Sequence, residues 1–256
     1  MNIEMQKYIK VKNNLEELKL KQMHLHLDET IEQYNSGNST FTDLLLVLTN
    51  YELKAKEERM INSCVRTAGF PYLKTTDDFD FNFQPSINKK QILGFKDMRF
   101  VDNKENILFI GNPGVGKTHL ATSIGIEAAK NHRSTYFVSC NDLIMQLKKA
   151  LLENRLEQRL KYYARMKLLI IDEVGYLPLD DVSSKLFFQL IAKRYEKNST
   201  IITTNKPLSE WTETFGDIVI ANAILDRLLH HSHVIKIIGP SYRTKNILPK
   251  TNKNTV

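Results

Sequence analysis

Two kinds of hydrophobic spacing divide this chain. Up to about residue 68, apolar residues recur at steps of three and four. Leu20, Met23, Leu27, Ile31 and Tyr34 form one stripe, with Lys, Glu and Gln between them, which predicts an amphipathic helix. Asn35-Ser36-Gly37-Asn38-Ser39 breaks it. A second helix is expected from near Thr40 through Leu44, Leu48 and Tyr51 to Val65, with the run 44–48 as one helix face. Gly69-Phe70-Pro71 stops it, because glycine caps a helix and proline cannot continue one. Residues 1–68 therefore read as a small all-helical N-terminal domain that binds DNA or a partner. Residues 69–105 read as a linker and lead-in to a second domain. Phe79, Phe81 and Phe83 alternate there beside Asp77, Asp78 and Asp80, and core packing explains them better than contact with a base.

From about residue 106 the spacing changes. Short apolar runs at 107–110, 135–138, 168–171, 200–203 and 234–238 alternate with helical patterns at 117–130, 142–165, 183–196 and 218–230. Continuous apolar strands imply burial on both faces, hence an α/β fold with a parallel sheet between helix layers. This domain is expected over 106–248. Residues 249–256, rich in Thr, Asn and Lys, are expected to be a disordered tail.

Composition changes the picture little. With 256 residues, 42% of them apolar, the chain can bury one large core and a small accessory one. No apolar run approaches the roughly 20 residues that cross a bilayer. The start, Met1-Asn2-Ile3-Glu4, lacks a signal core. We therefore expect no membrane partner and a cytoplasmic protein. Cys64 and Cys140 have no metal-type spacing and read as reduced, buried thiols. A formal net charge of +7 favours a polyanionic partner, nucleic acid before an acidic protein face.

The chemistry is concentrated in Gly111-Asn112-Pro113-Gly114-Val115-Gly116-Lys117-Thr118, a glycine, four residues, then Gly-Lys-Thr, between an expected strand and an expected helix. Glycines let successive backbone N–H groups turn inward on phosphates, and the helix opening at Lys117 adds its positive dipole end. Lys117 suits the β- and γ-phosphates of ATP, and the Thr118 hydroxyl suits magnesium. We count residues 111–118 with His119 as the nucleotide-contacting run. The strand 168–171 ends in Asp172 and Glu173, which places two carboxylates at the strand edge where ligands of open α/β sheets sit. Asp172 is read as the second magnesium ligand and Glu173 as the base that orients or deprotonates water, with an acidic helix cap as the alternative. Asn205 either bridges the attacking water and the γ-phosphate or serves the turn before Lys206-Pro207. Arg227 either enters a neighbour's ATP site or is an ion-paired surface arginine. Arg243 follows the last strand and is a weaker γ-phosphate candidate. His230, His231 and His233 are not read as a metal site, since no carboxylate or cysteine joins them at ligand spacing. No acceptor-binding lid lies between the ATP motifs, which argues against a small-molecule kinase.

Many residues between these motifs carry a resemblance. They are Pro71-Tyr72-Leu73-Lys74-Thr75, Asp78-Phe79-Asp80-Phe81 and Phe83-Gln84-Pro85-Ser86-Ile87, then Gly-Lys-Thr-His-Leu-Ala at 116–121 and Ile171-Asp172-Glu173-Val174-Gly175-Tyr176-Leu177-Pro178. Thr204-Asn205-Lys206-Pro207, Trp211, Phe215-Gly216-Asp217, the run 224–231 and Ser241-Tyr242-Arg243 complete them. Over nearly its whole length the chain resembles IstB-type helper ATPases of insertion-sequence transposition, relatives of DnaC-type helicase loaders in the AAA+ class. Val174 stands where Leu is more usual. The resemblance implies an AAA+ core, ATP-dependent self-association into an oligomer on duplex DNA, and a cognate transposase as partner. A loader of a replicative helicase is the alternative. It matches Lys117 and Thr118 to Walker A, Asp172 and Glu173 to Walker B, Asn205 to sensor 1, Arg227 to the arginine acting in trans, and Arg243 to a second sensor.

Overall fold

The computed structural model describes residues 3–37 and 39–245, so the expected tail at 249–256 lies outside the described residues. The chain divides into two compact units, Met1–Ser63 and Cys64–Val256.

The first unit consists of helices α1 (Ile3–Glu17), α2 (Lys21–Asn35) and most of α3 (Phe41–Thr67). Its core is small: Leu15, Leu27 and Leu48 are buried, with Tyr8, Leu20, Met23, Ile31 and Leu44 packed around them. Three expectations need correction. First, the helix before Asn35 is broken at Lys19, whose φ is +61°. No glycine or proline marks that break. It is stabilised from a distance, because Glu52 of α3 accepts hydrogen bonds from the first amides of α2, Gln22 N at 2.8 Å and Met23 N at 3.4 Å. Arg59 donates to the other oxygen of Glu52 at 2.9 Å. Second, the run 44–48 is not one helix face. Leu48 is buried, while Leu45, Leu46 and Val47 are exposed, since five consecutive helical residues point all around the axis. Third, Tyr34 is exposed rather than part of the buried stripe. Thr40 and Asp43 cap α3 as a reciprocal pair: Asp43 accepts from Thr40 N at 2.8 Å, and Asp43 N donates to Thr40 Oγ1 at 3.2 Å.

The second unit holds the short helices α4 (Lys89–Gly94) and α5 (Arg99–Asp102), then β1 (Asn106–Gly111), α6 (Lys117–Lys130), β2 (Thr135–Ser139), α7 (Cys140–Leu152), α8 (Leu156–Ala164), β3 (Leu168–Val174), α9 (Asp181–Arg194), β4 (Ser199–Thr204), α10 (Trp211–Phe215), α11 (Ile218–Leu229) and β5 (Ser232–Ile237). The five strands form one sheet in the order β2-β3-β4-β1-β5, every pair parallel. Alternate strand residues feed opposite layers. Leu108, Leu169, Ile171 and Ile202 pack with residues of α7 to α11 such as Leu147, Phe187 and Ile224. Ile107, Phe109, Ile170 and Ile201 pack with Ile92, Phe95, Leu120 and Ile124 on the other side. This is the expected α/β sandwich, and the apolar runs at its centre are continuous because both faces are covered.

β5 departs from that rule. Ile235 and Ile237 are buried, but Val234 and Lys236 are exposed, because β5 is an edge strand covered on one side. Phe79 and Phe81 pack on the core as read from the sequence, whereas Phe83 meets Tyr242 edge-on at 5.3 Å. Cys64 and Cys140 are both free thiols, but only Cys140 is buried as expected, which pushes its pKa up to about 12, whereas Cys64, near the end of α3, is half-buried. Among the described residues no helix is long and apolar enough to cross a membrane.

Candidate nucleotide site

β1 leads directly into the loop 111–118, and α6 opens at Lys117. Gly114 (φ +81°) and Gly116 (φ +99°) take left-handed conformations that curl the loop over the first turn of α6. Space is as limiting as the dihedrals. A methyl on Gly114 would lie 2.0 Å from Ser241 Oγ, and one on Gly116 would lie 2.5 Å from the Phe79 ring. The loop is thus gripped by the linker and by the turn after β5, whose Tyr242 amide donates to the Gly114 carbonyl at 2.8 Å. Lys117 Nζ donates to the carbonyls of Gly111 (2.7 Å) and Asn112 (2.9 Å). Burial pushes the Lys117 pKa down, opposed by the carboxylates of Asp172 and Glu173.

The two acids sit in different environments. Asp172 is 7% exposed, and burial raises its pKa. Two hydroxyls hold its carboxylate: Thr118 Oγ1 donates to it at 3.0 and 3.1 Å, and Thr203 Oγ1 at 2.5 Å. Glu173 is exposed at the rim of the cavity. The β3–β4 register slips here, so that Ile171 pairs with Ile202 but Val174 pairs with Thr204. One extra residue is accommodated, and Glu173 takes a φ of +61°. Its amide donates to Thr203 Oγ1 at 2.9 Å. A single buried hydroxyl therefore orients Asp172 and anchors the bulge that carries Glu173.

Sequence reasoning placed Thr203 only within a strand. Only Ile201 and Ile202 of β4 are apolar and hydroxyls flank them on both sides, so nothing local sets Thr203 apart. Asn205 lies just beyond β4 and does not line the cavity. Its amide oxygen is buried without a partner among the described residues. Arg243, the weaker candidate, does line the cavity, together with Pro113 to His119, Glu173 and Thr203. His119 pins the linker: its Nε2 is 2.8 Å from the Thr75 carbonyl, and its ring meets Phe79 edge-on at 5.3 Å. Arg227 is outside this cavity. It donates to the Ala223 carbonyl at 2.8 Å and sits over the Phe188 ring at 5.0 Å, with no carboxylate partner among the described residues. The ion-paired reading of Arg227 therefore finds no partner among the described residues.

The cavity measures about 340 Å³. Its lining includes the curled loop, the ammoniums of Lys74 and Lys117 and the guanidinium of Arg243, which suit a polyphosphate, beside the carboxylates of Asp78, Asp80 and Glu173. The donor set of Thr118 and Asp172, a hydroxyl and a carboxylate, fits a hard cation such as magnesium.

Comparison with known proteins decides what this cavity belongs to. Residues 13–249 match the family described as IstB-like ATP binding protein. The chain belongs to this IstB-like family. It is 56% identical over 245 residues to a protein of Bacillus thuringiensis subsp. berliner named for ATP binding and for insertion sequence IS232, covering 96% of this chain and 98% of that one. It is 45% identical over 214 residues to a Geobacillus stearothermophilus protein similarly named for IS5376, covering 84% and 85%. Among solved structures, the DnaC helicase loader superposes with a TM-score of 0.53 at 25% identity, over 68% of this IstB-like chain and 98% of the loader. DnaI superposes with a TM-score of 0.55 at 22% identity, over 69% and 94%, a likeness of fold. The core of this IstB-like protein is thus the expected AAA+ arrangement, and its loop at 111–118 lies in an ATP-binding family.

Proposed function

We propose that this IstB-like protein hydrolyses ATP with magnesium, assembles on duplex DNA in its ATP-bound form and assists a cognate transposase. The observation that carries the hydrolytic part is the meeting of Thr118, Asp172 and Glu173 at one end of the phosphate loop, with Thr203 bridging the two acids. Magnesium held by Thr118 and Asp172 would neutralise charge on the β- and γ-phosphates. Lys117 exchanges its loop carbonyls for phosphate oxygens. Glu173, at the open rim, accepts a proton from the attacking water. Arg243 lines the same cavity as a further cation beside Lys117 and Lys74. Asn205, with its unpartnered amide oxygen, is assigned to orient that water. Arg227, without a carboxylate partner among the described residues and outside its own cavity, is assigned to a neighbouring subunit's γ-phosphate, where it stabilises the charge that develops in transfer.

Support for DNA comes from the net charge of +7 and from a hollow of about 460 Å³ lined by Lys149, Arg159 and Tyr162, together with Arg155, which pairs with Glu153 of the same lining. Arg159 stacks over Tyr162 and Tyr163, an arrangement suited to a phosphate backbone. The exposed Lys7, Lys10, Lys19 and Lys21 of the first unit are further candidates. Support for a transposase partner comes from the insertion-sequence names of the relatives, and the likeness to the DnaC helicase loader keeps helicase loading as the second reading.

The test is duplex binding measured against salt, with and without ATP. We expect ATP-enhanced binding that weakens steeply with salt, and its absence would refute assembly on DNA. A pull-down with a purified transposase and with a replicative helicase separates the two partner readings. Arg227→Ala should abolish turnover without weakening ATP binding by isolated subunits. Mixing it with Lys117→Ala should restore part of the activity if Arg227 acts in trans.

A further inference from the structure

We propose that Glu196, His230 and His231 form a binding site for a borderline divalent transition cation, with Zn2+ as its representative. In the sequence the two histidines stand alone, because the nearest carboxylate donor of the site lies 34 positions earlier. The fold brings them together. α11 ends at Leu229 with His230 as its C-cap, and β5 starts at Ser232, so the chain turns sharply and the two imidazole rings lie 4.0 Å apart between centroids. Glu196 follows α9 by two residues. Its Oε1 is 3.6 Å from His230 Nδ1 and 3.8 Å from His231 Nε2. One ligand atom from each of the three lies within 4.8 Å of the others. A tetrahedral zinc with bonds of about 2.0 Å separates its ligand atoms by about 3.3 Å. Rotation of these exposed side chains closes the difference.

The chemistry is specific to a class of ion. Two imidazole nitrogens and one carboxylate oxygen suit Zn2+, Co2+ or Ni2+, whereas the all-oxygen pair Thr118 and Asp172 suits magnesium. Three protein ligands at an exposed position leave room for water as the fourth.

The backbone carrying these ligands is held in place. Glu196 has a φ of +55°, which residues other than glycine rarely adopt, and the turn around it is tied down by Arg194. That arginine is 1% exposed and donates to the carbonyls of Tyr163 (2.7 Å) and Met166 (2.8 Å) and to Thr200 Oγ1 (3.0 Å), while its own carbonyl accepts from Lys197 and Asn198. Asn106 does the same for the histidine turn. Its amide donates to the His231 carbonyl at 2.7 Å, its Nδ2 donates to Leu228 O at 3.0 Å, and its Oδ1 accepts from Thr200 N at 2.9 Å. The Tyr195 hydroxyl is 2.7 Å from His230 Nδ1, the same nitrogen that faces Glu196, so a cation on Nδ1 displaces this contact. His233 belongs elsewhere, since its Nε2 is 2.8 Å from Glu105. A cation here would clamp the α9–β4 turn to the end of α11, the helix that carries Arg227. The site stands independently of the ATPase reading.

The test uses untagged, metal-stripped full-length protein in excess Mg2+, titrated with Zn2+ by calorimetry and with Co2+ by visible absorption. One equivalent should bind, and Zn2+ should raise the unfolding midpoint. Glu196→Gln and His231→Asn, which keep polar shape, should each weaken binding at least about tenfold, while His233→Ala should not change it. Unchanged circular dichroism confirms that each variant folds. No stoichiometric uptake by the parent protein, or equal uptake by the parent and both ligand variants, would overturn the site.

Discussion

The two units of this chain are stabilised on different principles. The N-terminal unit buries three leucines and leaves Phe41, Leu45, Leu46 and Leu53 exposed. A core that small is marginal, and a single carboxylate, Glu52, supplies the cap that α2 lacks. The second unit buries two full layers around its sheet, and its polar interior is used for positioning: Thr203 for the acids, Arg194 and Asn106 for the turns. One unit thus has little stability to spare, while the other is rigid enough to hold strained residues such as Glu173 in place. The difference says where a substitution acts on chemistry and where it acts on folding.

Glu173→Gln should give the largest effect. ATP binding should persist while turnover falls by about 10²–10⁴-fold, the range for loss of a general base. Phosphate release and nucleotide titration read the two quantities separately, and parental turnover would remove Glu173 from its assigned role. Leu48→Ala should cost about 2–5 kcal/mol and melt the N-terminal unit alone. Hydrogen exchange resolved by segment checks this, and coordinate loss of protection in the sheet would mean that the units do not fold separately.

Thr203→Val should lower turnover by about tenfold and cost about 1–3 kcal/mol, because it removes the acceptor for the Glu173 amide and one donor to Asp172. Thr203→Ser, which keeps the hydroxyl, should restore most of the turnover. Equal loss in both variants would make the residue a packing element only.

Glu52→Gln should give the smallest change, about 1 kcal/mol in the N-terminal unit. It also carries a pH signature. Burial raises the Glu52 pKa, but the Gln22 and Met23 amides and Arg59 outweigh it and hold the carboxyl below its usual 4.5. A depressed folded value means stabilisation that is present above the unfolded pKa and is lost as pH falls through the folded one. Thermal melts of the parent protein should therefore show an acid-sensitive component near and below pH 4.5 that Glu52→Gln lacks.

Features set by neighbours along the chain were legible in the residues alone. The phosphate loop, the acids near the end of β3, the helical stretches that became α6, α7, α8, α9 and α11, and the continuous central strands all follow from local spacing, and the family resemblance rested on these segments and those between them. Their geometry is dictated by backbone preferences and by burial on both sheet faces. What stayed hidden depends on partners far away in sequence. The break at Lys19 needs Glu52, the one-sided burial of β5 follows from its place at the sheet edge, and the role of Thr203 appears only when β4 pairs with β3. The reading of the histidines missed Glu196 for the same reason. A hydrogen bond or a ligand set is a matter of distance in space, and only folding turns residues 30 or more positions apart into neighbours.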